Sequence, residues 1–261
     1  MKLGVCRGLD DFESLKIAAQ SGVDYLETGF GCFVDYNDEK INCCKEVLES
    51  LSLRCLAANG FIPGDMKLVG DNVDYVAISD YLDRGFERLK NFDVEKIVLG
   101  SGRARSFEDG YSLEKAKEQL AFFLSEYAAP RAEKAGCAIV LEPLRFCEST
   151  MIHMVSDGVD IARMSGARNV SALADLYHVY GNNDSIDGIA GFKGRVLHSH
   201  IAEPITRVYP SLSDNEEIKS IYKSFFDALK IAGCETCSIE ARTDDFSKDI
   251  VGAIKVLKNC L

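Results

Sequence analysis

The sequence predicts a (β/α)8 TIM barrel running through residues 1–261 as one domain. Three observations predict it. Eight short runs rich in apolar and β-branched residues alternate with longer amphipathic stretches from end to end. No linker or shift in composition interrupts them. A loose pattern also recurs, in which a helix end leads to a Gly, a buried strand and then an acid. It is seen in Ala18-Ala19-Gln20-Ser21-Gly22 leading to Glu27, Ala132-Glu133-Lys134-Ala135-Gly136 leading to Glu142, and Leu229-Lys230-Ile231-Ala232-Gly233 leading to Glu240. The Gly suits a left-handed helix end, and the buried run suits a parallel strand.

The strands are expected at about 3–6, 24–28, 54–59, 96–101, 138–143, 170–175, 196–201 and 236–241. Helical patterns fill about 10–21, 38–50, 72–91, 113–135, 156–165, 215–232 and 246–259, with one or two turns within 182–192. Eight strands with crossover helices in this length match a barrel. A doubly wound sheet suits five or six strands better.

Acidic residues exceed basic ones, 41 to 30, giving a formal charge of −11 that disfavours a nucleic-acid partner. No apolar run approaches the roughly 20 residues of a membrane helix, so no membrane partner is expected. The N-terminal stretch reaches Asp10 and Asp11 before a signal-peptide core develops. With ten dispersed cysteines this implies a reducing, cytoplasmic setting and free thiols. Cys234-Glu235-Thr236-Cys237 has no second pair to complete a zinc site.

Barrel chemistry belongs at the C-terminal strand ends. Strand five ends in Glu142, six in Asp175, seven in His200 and eight in Glu240. Three carboxylates converging on one imidazole repel one another unless a cation joins them. An O3N set suits Mn2+, Mg2+, Fe2+, Co2+ or Zn2+. His198 shares a strand face with His200 but lies one layer deeper, as a supporting histidine rather than a ligand. His153 falls in a loop and reads as a surface residue. After strand eight, Arg242-Thr243-Asp244-Asp245-Phe246 lacks the glycine-rich turn of a phosphate site, which favours a free polyol or ketose. Lys67, Arg103 and Arg105 remain cations able to meet an anion. Gly100-Ser101-Gly102 lacks the third glycine and following helix of a dinucleotide fingerprint.

At these residues the chain resembles the xylose isomerase-like barrel superfamily, specifically its sugar isomerase/epimerase branch with the D-tagatose and D-psicose 3-epimerases. The motifs are Leu141-Glu142-Pro143-Leu144 with Glu148, Asp175-x-x-His178, His198-x-His200-x-x-Glu203, and Glu240. The resemblance implies one divalent metal, usually manganese, on Glu142, Asp175, His200 and Glu240. It implies substrate contacts from Glu148, His178 and an Arg after strand seven. The epimerases place that Arg where this chain has Thr206, and Arg207 follows one later. The N-terminal half, including Leu26-Glu27-Thr28 and Ala58-Asn59-Gly60, carries no substrate assignment.

The function so implied is epimerisation or isomerisation of a ketose or related polyol through a metal-stabilised cis-enediolate, with Glu142 and Glu240 as the acid/base pair. The alternatives are a metal-dependent lyase, either an inosose-type dehydratase or a C-glycoside-cleaving enzyme, and a non-catalytic sugar-binding or partner subunit. The expected partner is a small sugar or polyol, and a homo-oligomer is compatible with the sequence. The related three-zinc apurinic endonucleases need histidines on strands three and four, which here end in Asn59-Gly60 and Ser101-Gly102-Arg103.

Overall fold

The computed structural model describes all 261 residues. In chain order the elements are β1 (Lys2–Cys6), α1 (Phe12–Gln20), β2 (Tyr25–Gly29), α2 (Gly31–Asp35), α3 (Asp38–Ser50), β3 (Arg54–Asn59), α4 (Tyr75–Leu89) and β4 (Lys96–Leu99). There follow α5 (Leu113–Phe123), α6 (Ala129–Lys134), β5 (Ala138–Leu141), α7 (Val155–Ser165), β6 (Val170–Asp175) and α8 (Leu176–Gly181). The chain closes with β7 (Val196–Ile201), α9 (Glu216–Ala232), β8 (Thr236–Ile239) and α10 (Phe246–Cys260). The strands pair in parallel in sequence order, and β8 returns to β1, so the sheet is a closed barrel.

The recurrence has the expected backbone. Gly136 and Gly233 have φ of 74° and 84°, a left-handed conformation that costs a Cβ-free residue little. The pattern over 113–135 is not one helix. A π-helical turn at Leu124–Ala128 separates α5 from α6, just ahead of Pro130, which has no N–H for the helical ladder. The weak stretch near 182–192 holds a 3-10 turn at Asp187–Gly191.

Strand alternation positions the site. Leu3, Val5, Cys237 and Ile239 face outward into the main core under the helices. Val98, Val140 and Leu173 form a separate apolar cluster inside the barrel, and the Tyr25 ring lies over Gly4 with its hydroxyl 2.8 Å from Ser238 Oγ. Two residues further along each of these strands stand Gly100, Glu142, Asp175, Cys6, Glu27 and Glu240. The period-two pleat therefore turns this set toward the mouth above an apolar plug. No helix is long and apolar enough to cross a membrane.

Arg105 is fully buried beside the mouth. Its Nε donates to Gly100 O (2.7 Å), Nη1 to Met151 O (2.8 Å) and Nη2 to Glu142 O (2.7 Å). Burial pulls its pKa down to about 10, against the opposing charges of Glu142 and Asp157. It staples the β4 and β5 ends together, so of the cations able to meet an anion this one is engaged by backbone carbonyls. The turn at Ser101, with φ of 37°, folds the loop back and aims the side chain inward. Lys67 is likewise engaged by Arg103 O and Ser106 O.

Candidate active site

Glu142, Asp175, His200 and Glu240 come together as the strand order requires, each offering one ligand atom within 4.8 Å of the others. His200 is the hub. Its Nδ1 lies 3.0 Å from Glu142 Oε1, 3.5 Å from Glu240 Oε2 and 3.9 Å from Asp175 Oδ2. Glu142 fits because β4 is followed by Gly100, where a Cβ would stand 2.2 Å from Glu142 Oε2. Asp175 caps α8, and its Oδ1 accepts the backbone N–H groups of Tyr177 (2.7 Å) and His178 (3.4 Å). Its Oδ2 is buried with no hydrogen bond.

Those features test whether a divalent cation fits. An unpartnered buried carboxylate oxygen converges with two further carboxylates and one imidazole nitrogen. That donor set suits Mn2+ or Mg2+ and admits Fe2+, Co2+ or Zn2+. An unpaired buried carboxylate oxygen is costly without a cation.

The electrostatics agree. Burial and the neighbouring charge of Glu240 push Glu142 above the usual carboxyl range. Burial alone would also raise Glu240, yet His200 and Arg207 hold it below that range. Burial would lower His200, but the charges of Glu27, Glu240 and Glu142 hold it well above the ordinary histidine value. The pocket thus holds an excess of negative charge, which draws positive charge to His200.

Around this centre opens a cleft of about 400 Å3, lined in part by Glu142, Glu148, His178, Arg207 and Glu240. His178 is 1% exposed, and neither of its ring nitrogens has a hydrogen bond. Nδ1 is 3.3 Å from Glu148 Oε2, and Nε2 is 3.7 Å from Asp175 Oδ2. Arg207 Nη2 donates to Glu240 Oε2 (2.6 Å), with Nη1 3.9 Å from Glu148 Oε1. The residue reaches the cleft because its φ is 59°, in a turn held by Glu203 Oε2, which accepts from Thr206 N and Thr206 Oγ1. Thr206 is used in that turn, and Arg207 is the residue in the cleft. His153 lies apart, its Nδ1 3.3 Å from Leu144 O and its ring 4.2 Å from Phe146.

Glu27, to which the sequence assigns no role, lies in the floor of this centre. It reaches across the barrel from β2 to accept from His198 Nε2 (2.8 Å) and His200 Nε2 (2.9 Å), and all three residues are fully buried. Burial would raise its carboxyl, but the charges of His200 and His198 hold it well below the usual range. The signal was present: Glu27 is the first acid of the helix–Gly–strand–acid recurrence. His198, one layer below His200, also meets Thr236 Oγ1 through Nδ1 at 2.7 Å, and burial lowers its pKa.

The fold and site define a parallel (β/α)8 barrel with a cleft at its C-terminal mouth able to hold a cation. The chain belongs to the Xylose isomerase-like TIM barrel family, whose model matches residues 15–260. Among solved structures it is similar to 3-keto-D-glucoside 4-epimerase from E. coli, at 19% identity and TM-score 0.80, with 100% of each chain covered. It is similar to D-allulose 3-epimerase from Methylomonas sp., at 17% identity and TM-score 0.82, with 100% of this chain and 98% of the other covered. It is also similar to an AP endonuclease, family 2, from Brucella melitensis, at 18% identity and TM-score 0.77, with 95% of each chain covered. At these identities the likeness is one of fold. No curated protein matches the chain by sequence.

Proposed function

We propose that the chain is a divalent-metal-dependent sugar epimerase or isomerase acting on a ketose or related polyol, with Mn2+ as its metal. The observation that carries the reading is the convergence of Glu142, Asp175, His200 and Glu240 at the cleft floor, with the buried Asp175 Oδ2 unpartnered. Two of the similar structures are sugar epimerases by name, which supports the same chemistry here. Ten cysteines, all free, are in keeping with work in the cytoplasm.

Glu142, Asp175, His200 and Glu240 would hold the metal, whose Lewis acidity polarises a carbonyl and its neighbouring hydroxyl when bound. Glu142 and Glu240 rise from strands separated by β6 and β7, so they flank the cleft from two sides. One removes the proton from the carbon beside the carbonyl, and the other returns a proton to the opposite face. Each carboxylate has two oxygens, so one can transfer a proton while the other stays engaged. His178 offers two unpaired ring nitrogens to sugar hydroxyls, and Glu148 accepts a hydroxyl beside it. Arg207 orients Glu240 and meets the substrate from the β7 side.

A panel of ketoses, inososes and keto-glycosides, incubated with Mn2+-loaded protein, tests the reading. An epimer or isomer of one ketose or keto-sugar is expected. Elimination products alone, or no turnover of any member, would overturn it.

A further inference from the structure

Glu27 is not among the acids that face the cation position, and proton transfer does not use it. It is nonetheless fully buried, and each of its oxygens accepts from one histidine of β7. We propose that Glu27 is a positioning residue for the metal centre, which engages His200 Nε2 and so leaves Nδ1 as the ring nitrogen turned to the cleft. This rests on the metal reading above.

The proton assignments follow from the hydrogen-bond network. Each Glu27 oxygen faces one Nε2 within hydrogen-bond distance, which assigns a donated hydrogen to His198 Nε2 and to His200 Nε2. His198 Nδ1, left with a lone pair, accepts the hydroxyl hydrogen of Thr236 across 2.7 Å. The chain runs from Thr236 through His198 to Glu27, and His200 joins it from the other side. With Nε2–H committed to Glu27, the remaining ring nitrogen of His200 faces Glu142, Glu240 and Asp175. A carboxylate behind a ligating histidine also makes the ring a stronger donor. Glu27 comes from β2, on the far side of the barrel from the ligand strands β5 and β6, so ring orientation depends on barrel closure.

The test titrates metal-free wild type and Glu27→Gln with Co2+, following its visible absorption, with circular dichroism as the fold control. Glu27→Gln removes the charge and replaces one acceptor with a donor. The expected result is Co2+ affinity weakened about 10- to 100-fold in a folded protein. Equal affinity in a folded Glu27→Gln protein overturns the proposal. If that variant does not fold, ring-nitrogen NMR of Zn2+-loaded wild type decides. Zn2+ on His200 Nδ1 with Nε2–H retained supports the role, and Zn2+ on Nε2 overturns it. Wild type that binds neither ion overturns the metal reading itself, and with it this role for Glu27.

Discussion

Arg207 donates to Glu240 across 2.6 Å from a backbone in the left-handed region, with φ of 59°. An L-residue there costs about 1–2 kcal/mol, and glycine avoids the steric part of that cost. Arg207→Gly is therefore expected to melt higher than Arg207→Ala. Both should lose turnover, since Glu240 loses its guanidinium partner in each. Thermal unfolding of the pair checks this, and an Ala variant as stable as the Gly variant would contradict it.

Gly100→Ala places a methyl 2.2 Å from the present position of Glu142 Oε2, too close for both to stay. The displaced group is the far end of a side chain, so the fold should survive while Glu142 leaves its place. Metal affinity and turnover are expected to fall at least tenfold, with the melting temperature of the metal-free protein changed little. Isothermal titration with Mn2+ and a melting curve measure the two arms.

The strand ends were legible because each acid or histidine closes an apolar run, which groups Glu142, Asp175, His200 and Glu240 from the sequence alone. Glu27 closes such a run as well. Its partners, however, lie on β7, 171 and 173 residues away, and only closure of the barrel brings them together. The inward direction of Arg105 was not legible, because it depends on one left-handed residue, Ser101, that a helix or strand pattern does not mark. The break between α5 and α6 was hidden because the π-turn keeps a helical apolar pattern across Pro130.

A ligand that binds only the folded chain stabilises it, by about 2.7 kcal/mol at a hundredfold excess over its Kd. Mn2+ at that level should raise the melting temperature of metal-free protein by roughly 5–10 °C for a chain of this size. Chelation should reverse the shift, and Asp175→Asn should reduce it strongly. A shift retained in full by Asp175→Asn would place the bound ion elsewhere.

Cys43 and Cys147 are exposed, whereas Cys55, Cys137, Cys234 and Cys237 are buried. Burial raises the Cys234 thiol to about 11 and Cys137 to about 12. Thiol titration of native protein should show a fast phase from the two exposed groups, and denatured, unreduced protein should give all ten. A shortfall of two on denaturation would reveal a disulfide and contradict the reducing setting.

The most direct test of proton transfer between Glu142 and Glu240 is turnover in heavy water. The proton delivered to the opposite face comes from the second glutamate, which equilibrates with solvent, whereas a hydride moved between adjacent carbons never meets water. Mass spectrometry and NMR of the product are expected to show one deuterium on the carbon beside the carbonyl. Glu142→Gln and Glu240→Gln should each lower the rate by about 100-fold or more. Product formed at full rate without deuterium, with both Gln variants still active, would contradict the two-carboxylate mechanism.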